Sequence, residues 1–499
     1  MRGKKAILNT IMNLSEEFVA IICSLIIPRL ILNSFGSAYN GLVSSITQFL
    51  SCAVILRSGI GAATKTALYR PLNEKDEDSI NSIIKATDIH MKKIGLILLF
   101  AILSFAVIYP IFVKSEFEWF FTFSLFCIIG ISTFSESFFG ITYMILLQAD
   151  QKLYVSSIIK IFCNILNVIL TVILILSGFS IHFVKLASAL AFTLYPVIIS
   201  IYVHKKYNIN SKVKPNNEAI KQRWDAFWHQ LSTFVNNNTD VMILTVFTNM
   251  LEVSVYSVYS MIINALKRFI TSFTGGLDAA FGNMIAKNEL KTVNENLTVI
   301  EFIIYNLATI LFSCATCLIL QFVEIYTNGV TDVNYMRPFF AYILLFAQLF
   351  YAIRLPYQII IQAAGHFHQT KKYAIIEAIL NIVISIILVI KYGLIGVAIG
   401  TLIALLYKTI TFSNYASKKI INRSIFTTYK KCFIATIEYF SIVITVKLIN
   451  LPIQLNYINW IFNAIITIIL SLIIVTIGIL LFYRKDFSVL KYKLKRMHK

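Results

Sequence analysis

Residues 153–177 read LYVSSIIKIFCNILNVILTVILILS, and residues 373–391 read YAIIEAILNIVISIILVIK. Each is an apolar run close to the roughly 20 residues that an α-helix needs to cross the hydrocarbon layer. Asparagines stand at matching places in the two, Asn167 and Asn381, 214 residues apart. The first feature reads as a membrane helix, the second as a repeat. Working outward, fourteen such runs appear: 7–33, 40–63, 94–113, 119–147, 153–177, 181–203, 227–249, 253–283, 298–327, 338–364, 373–391, 394–414, 432–450 and 457–483. They are too long and too uniformly apolar for the roughly 10-residue alternating strands of a membrane barrel.

Composition agrees. Of 499 residues, 58% are apolar and 14% charged, with mean hydropathy +0.76. Soluble domains run near 45–50% apolar and about 25% charged. A soluble, disordered or collagen-like chain is excluded, and the fold class is an all-α polytopic membrane protein. The net charge of +20 would suggest nucleic acid in a soluble chain. Here the basic residues lie between apolar spans, so membrane lipids are the partner and nucleic acid is not. The start, MRGKKAILNTIMNLSEEF, is no cleavable signal, because Glu16 and Glu17 interrupt its apolar stretch. The seven cysteines lie in or beside the spans. Cys314-x-x-Cys317 has redox spacing but sits in a lipid-depth run without polar support, so it reads as packing. No metal site is predicted: His366 and His368 follow Gly365 in a turn. No Walker glycine pattern occurs, so ATP hydrolysis is not expected.

Lys and Arg in the connections set the orientation. On one side fall 32 of them, from Arg2, Lys4 and Lys5 to the tail; on the other only Lys114, Arg337 and Lys391. Both termini are therefore expected in the cytoplasm of a bacterial cell, below the plasma membrane, which requires an even number of spans. The opposite connections (34–39, 178–180, 250–252, 392–393) are short. That argues against a glycosyltransferase or ligase working in external loops, and the chain reads as a transporter rather than an enzyme.

The repeat extends beyond Asn167 and Asn381. Leu147-Gln148-Ala149 answers Ile361-Gln362-Ala363 at the same offset of 214. That offset spans six helices, an even number, so the repeats are parallel, as in transporters that rock two bundles about a central cavity. The expected organisation is an N-terminal lobe at 1–203, a basic linker at 204–226, a C-terminal lobe at 227–414, and helices 13 and 14 with a basic tail at 415–499.

Ionisable residues at bilayer depth cost roughly 2.5–3.5 kcal/mol each on insertion scales. Arg57, Lys267, Arg268 and Arg354 share one level, roughly 20–25 Å from the outer surface at 1.5 Å per residue. Cations converging there suit a phosphate or diphosphate, whose oxygens match the guanidinium fork. Arg29 lies near the outer end of its span. Lys160 lies within helix 5, while Lys185, Lys408 and Lys447 sit near span ends and read as anchors. Among the acids, Asp240 follows FVNNNT in mid-helix 7, and Glu377 and Asn381 are spaced i, i+4 on one face of helix 11. Such oxygens suit Na⁺ or a proton relay; a salt bridge from Glu377 to a lumen arginine is the alternative. Glu301 sits near an inner end and reads as solvated.

Several stretches carry a family likeness. They are ILNTIMNL (7–14), IIPRLILNSFGSAYNGLVSSITQFL (26–50), RSGIGAATKTALYRPLNEKD (57–76), NNTDVMILTVF (237–247), VSVYSVYSMI (253–262) and QAAGHFHQTKKYAIIEAILNIVISIIL (362–388). The chain resembles the polysaccharide repeat-unit flippases of the multidrug/oligosaccharidyl-lipid/polysaccharide exporter superfamily. The resemblance implies fourteen helices in two six-helix lobes plus two, and alternating access. It also implies movement of undecaprenyl-diphosphate-linked oligosaccharide from inner to outer leaflet for capsule or another surface polymer. A polysaccharide polymerase and chain-length machinery are the implied partners. It places Arg29, Arg57, Lys267 and Arg268 on helices that carry lumen arginines in related flippases. It places Asp240, Glu377, Asn381 and Thr401 on helices where relatives bind a cation, implying Na⁺ or H⁺ coupling. A drug extruder of the same fold and a peptidoglycan-precursor flippase are the rivals.

Overall fold

The computed structural model describes residues 2–54, 58–113, 116–210, 212–216, 234, 238–274, 277–452 and 454–497. These residues are helical almost throughout. The helices are α1 (Arg2–Phe35), α2 (Ser37–Val54), α3 (Ser58–Glu74) and α4 (Glu77–Phe112). Next come α5 (Trp119–Ser135), a π turn at Glu136–Gly140, α6 (Ile141–Ala149), α7 (Leu153–Leu176) and α8 (Ile181–Lys206). After α9 (Asn238–Phe247) follow α10 (Met250–Ser272), α11 (Leu277–Ala286), α12 (Leu290–Tyr326) and α13 (Pro338–Ala363). The last are α14 (Phe367–Tyr392), α15 (Leu394–Ala416) with a π turn at Ser417–Ile421, α16 (Ile425–Ile449), α17 (Tyr457–Phe482) and α18 (Arg484–Met497).

Eleven helices among the described residues are long and apolar enough to cross a membrane. The shortfall from fourteen falls on three segments. Residues 40–63 are divided between α2 and α3, 227–249 is described mainly as α9, and α10 carries Asn264, Lys267 and Arg268 in its second half. Elsewhere the apolar outer faces mark the lipid contact. On α17 Ile458, Phe462, Ile465, Ile469 and Leu480 are exposed, while its covered face is Asn463, Thr467, Ser471, Val475 and Gly478. A helix this apolar outside and polar inside suits lipid around a protein core.

The turns echo the sequence repeat. Left-handed residues precede α4 (Lys75) and α12 (Asn288), and likewise α7 (Gln151) and α14 (Gly365). At each the chain closes a Schellman-type bond, such as Lys152 N–H to Leu147 O at 2.8 Å and His366 N–H to Ile361 O at 3.1 Å.

The chain divides into two compact units, Met1–Ser254 and Val255–Lys499. The boundary falls beyond the 204–226 linker, because α9 and the start of α10 join the first unit through α2. Ser45 and Thr245 hydroxyls lie 2.6 Å apart, and Asn40 Nδ2 donates to Ser254 Oγ at 2.8 Å. Gly41 lets the backbones touch: a Cβ there would stand 1.9 Å from Met250 O. Glu116 caps α10, accepting from Met250 N–H at 2.9 Å.

In the second unit α14 and α15 form a hairpin about Gly393, whose φ is +53°. Its seam is narrow: a Cβ on Gly396 would meet Leu388 backbone at 2.4 Å, and one on Gly400 would meet Ser385 Oγ at 2.2 Å. α13 packs on α12 and α15, and α16 and α17 pack on α12.

Candidate functional site

The site is built on α13, where Gln348, Tyr351, Arg354 and Gln358 recur at helical spacing. Arg354 is only 5% exposed. Its Nη1 donates to Glu377 Oε1 of α14 at 3.0 Å, and Glu377 has no exposed surface. Lys408 of α15 pairs with the other carboxylate oxygen. The Tyr351 ring receives Arg354 at 5.1 Å and Lys267 of α10 at 4.6 Å from its centroid. One turn further along the hairpin, Asn381 Nδ2 donates to Thr401 Oγ1 at 3.3 Å. Close packing of α14 on α15 is what aligns these two polar rungs.

The charges do not balance. Arg354 and Lys408 bring two buried cations to the one carboxylate of Glu377. Buried charge is costly unless paired, and the Tyr351 π face offsets only part of it. Arg354 Nε is buried without a hydrogen-bond partner, as are Gln348 Oε1 and Gln358 Oε1. A surplus of fixed positive charge with a spare guanidinium donor is suited to an anion.

The structure thus brings together Lys267, Arg354, Glu377, Asn381 and Thr401, which the sequence divides between cargo and coupling roles. It adds Lys408, read from sequence as an interfacial anchor. That reading is corrected: the helix continues through the π turn to Ile421 rather than ending near 414, so Lys408 lies deeper and is buried. Of the adjacent pair, Lys267 packs inward and Arg268 is exposed. Arg29, half-buried on α1, and Asp240, buried on α9, belong to the first unit. Arg57 lies outside the described residues.

Glu301 is a second correction. It is not solvated; it has no exposed surface. Arg423 and Lys431 pair with it, and Tyr357 O–H donates to it at 2.6 Å. The polar start of α12 is covered by α16 and α18, which hydropathy alone does not reveal. Lys431 also holds Asp486 of α18 at 2.7 Å. In the first unit, Lys160 pairs with Glu16 at 3.1 Å beside a cavity of ≈ 200 Å³ lined by Ser132, Thr133, Glu136, Asn164 and Tyr195. The seven cysteines are free. Among the described residues no group of three or more His, Cys, Asp or Glu could hold a metal ion.

The helices and their order define a class of fold, one shared with solved lipid-flippase and multidrug-transporter structures. The lipid II flippase MurJ, in an inward closed conformation, superposes with a TM-score of 0.74 at 16% identity, covering 95% of this chain and 99% of that one. An inward-facing multidrug resistance MATE family transporter gives 0.64 at 14% identity, covering 84% and 99%. A superfamily member from Pyrococcus furiosus, described by the reverse polarity of its binding pocket, gives 0.59 at 11% identity, covering 84% and 97%. No protein-family model and no curated protein sequence matches the chain.

Proposed function

We propose that this protein is a flippase that carries a lipid-diphosphate-linked oligosaccharide, on undecaprenyl diphosphate, from the inner to the outer leaflet of a bacterial plasma membrane. The observation that carries the reading is the buried Arg354–Glu377–Lys408 set, two cations on one carboxylate, beside the half-buried Tyr351 and Lys267. A diphosphate supplies the anion this set lacks, and the arginine fork matches its oxygens. Two lobes, 1–203 and 227–414, would rock about the cargo, with Arg57, Arg29 and Arg268 as further phosphate contacts. Asp240, Glu377, Asn381 and Thr401 would sense the coupling ion. Capsule or another surface polymer is the product served, and a polymerase receives the cargo outside.

The test is to delete the gene and measure lipid-linked repeat units by mass spectrometry alongside surface polysaccharide. Loss of surface polymer with intact intermediate retained inside is expected. Arg354→Lys, which keeps the charge and loses the fork, should lower export by about tenfold, the loss of one charge-assisted hydrogen bond. Normal surface polymer in a strain with no second flippase would sink the reading and favour a drug extruder. A peptidoglycan-precursor flippase is the second reading, favoured by the 95% coverage against the lipid II flippase. Essentiality for growth separates it from the first.

A further inference from the structure

In the second unit, α12, α16 and α17 meet in two apolar layers. One holds Phe302, Ile434 and Tyr483. The other holds Ile310, Ile442 and Val475. Phe302 and Ile310, like Ile434 and Ile442, are about two turns apart, so one turn of each helix lies between the layers. That turn presents Asn306 on α12, Glu438 on α16 and Gly478 on α17, all buried.

Glu438 stands near the middle of α16, 5% exposed, and its Oε1 is buried with no hydrogen-bond partner. Asn306 donates Nδ2 to Phe302 O at 2.6 Å, which leaves its Oδ1 buried and unpartnered as well. Gly478 provides the room, since a Cβ there would stand 1.9 Å from Glu438 Oε1. The layer holds two acceptor oxygens and no donor for either.

The titratable groups on the neighbouring turns do not supply one. On α12, Glu301 is held by Arg423 and Lys431, and Tyr305 donates to Tyr357 O–H at 3.1 Å. Cys314 shares a contact with Ser471 at 3.1 Å, and Cys317 is free. On α16, Lys431 is taken by Glu301 and Asp486, Cys432 is hydrogen-bonded with Tyr305, and Tyr439 pairs with Thr316 at 2.6 Å. After α17, Tyr483 donates to Lys431 O at 3.2 Å. A carboxylate at this depth without a counter-cation is costly. A carboxylic acid answers both deficits: it is neutral, and its O–H puts a donor in the same layer as Asn306 Oδ1.

We propose that Glu438 is a proton-binding site, protonated while α12, α16 and α17 are packed and releasing its proton when the seam parts and water enters. The ligand is H⁺, and the site lies on the two helices appended to the paired repeats. It rests on the membrane fold and not on the cargo proposed above.

The experiment uses the full-length protein in lipid nanodiscs with dicyclohexylcarbodiimide, an apolar reagent that adds to protonated carboxyl groups. Peptide mapping is expected to find the adduct on Glu438 at neutral pH and to lose it as the buffer is made alkaline. Glu438→Gln should abolish the adduct with the protein still folded. Asn306→Leu should move its loss to lower pH, because the acceptor that favours the protonated form is gone. Infrared spectra of wild type and Glu438→Gln at neutral pH should differ by one protonated-carboxyl band, and this comparison decides the matter even where the reagent fails to enter. Labelling of Glu438 that does not vary with pH, or spectra without that difference, would overturn the proposal. Neither readout involves cargo, so normal surface polymer in the deletion strain would remove the flippase reading and leave this site standing.

Discussion

Glu377 is the residue on which the second unit's buried charges depend. Among the described residues it alone pairs with both Arg354 and Lys408. Removing one partner of a buried pair strands the other and costs about 3–5 kcal/mol. Glu377→Gln strands two cations and is expected to lose at least that much, seen as a lower unfolding temperature of the purified protein. Lys408→Met leaves the Arg354–Glu377 bond in place and should cost clearly less; equal losses would mean that the pair does not hold the helices. At this scale the sequence was only half legible. The i, i+4 spacing of Glu377 and Asn381 marked a polar face on α14, and the salt bridge to an arginine was foreseen as one alternative. Lys408 and Glu301 were misread because both sit where hydropathy fades, although the helix and its protein cover continue.

Among the elements, α2 against α9 and α10 is a seam with almost no side chain at its tightest point. Gly41 lies on Met250 O, and Ser45 meets Thr245. Such small-residue contact between membrane helices gives close packing that separates without tearing an apolar core. If the seam must part during transport, a Ser45→Cys/Thr245→Cys pair in a background without the native cysteines should form a disulfide on oxidation. Export should then stop and recover on reduction. Cross-linked protein that exports at the normal rate would show the seam to be static. Helix identities were legible from apolar runs, but helix ends were not. α4 begins at Glu77 rather than near 94, and α12 at Leu290 rather than near 298. The early turns of both are covered by neighbouring protein, as the burial of Ile80, Ile83 and Ile84 on α4 and of Val293 and Leu297 on α12 shows. The tail from Arg484 reads as merely basic in sequence, yet it forms α18, with Leu490 against the Phe302 layer.

For the molecule as a whole, the 32 to 3 division of basic residues predicts an orientation that insertion can test. Reporters fused before Met1 and after Lys499 should both be active only in the cytoplasm. One active outside would mean an odd number of spans and would break the parallel repeat. The repeat itself was visible because polar residues such as Asn167 and Asn381 stand out in an apolar background, and the recurring left-handed turns carry it in the backbone. The common level of Lys267 and Arg354 was legible from depth along each helix, but the Tyr351 ring that receives both was not, since it depends on side-chain direction.

The narrow turn at Gly393 also bears on how the chain enters the bilayer. Glu377 and Lys408 lie almost equally far from it along the two arms of the hairpin. Threaded singly, each arm would carry an uncompensated charge into the membrane, at roughly 2.5–3.5 kcal/mol apiece. Folded back at Gly393, with Gly396 and Gly400 allowing the arms to close, the two charges arrive at the same depth and already paired. The hairpin can therefore leave the translocon with its two mid-membrane charges already paired, leaving only the lysines near its ends, Lys371, Lys372 and Lys391, to the membrane surfaces.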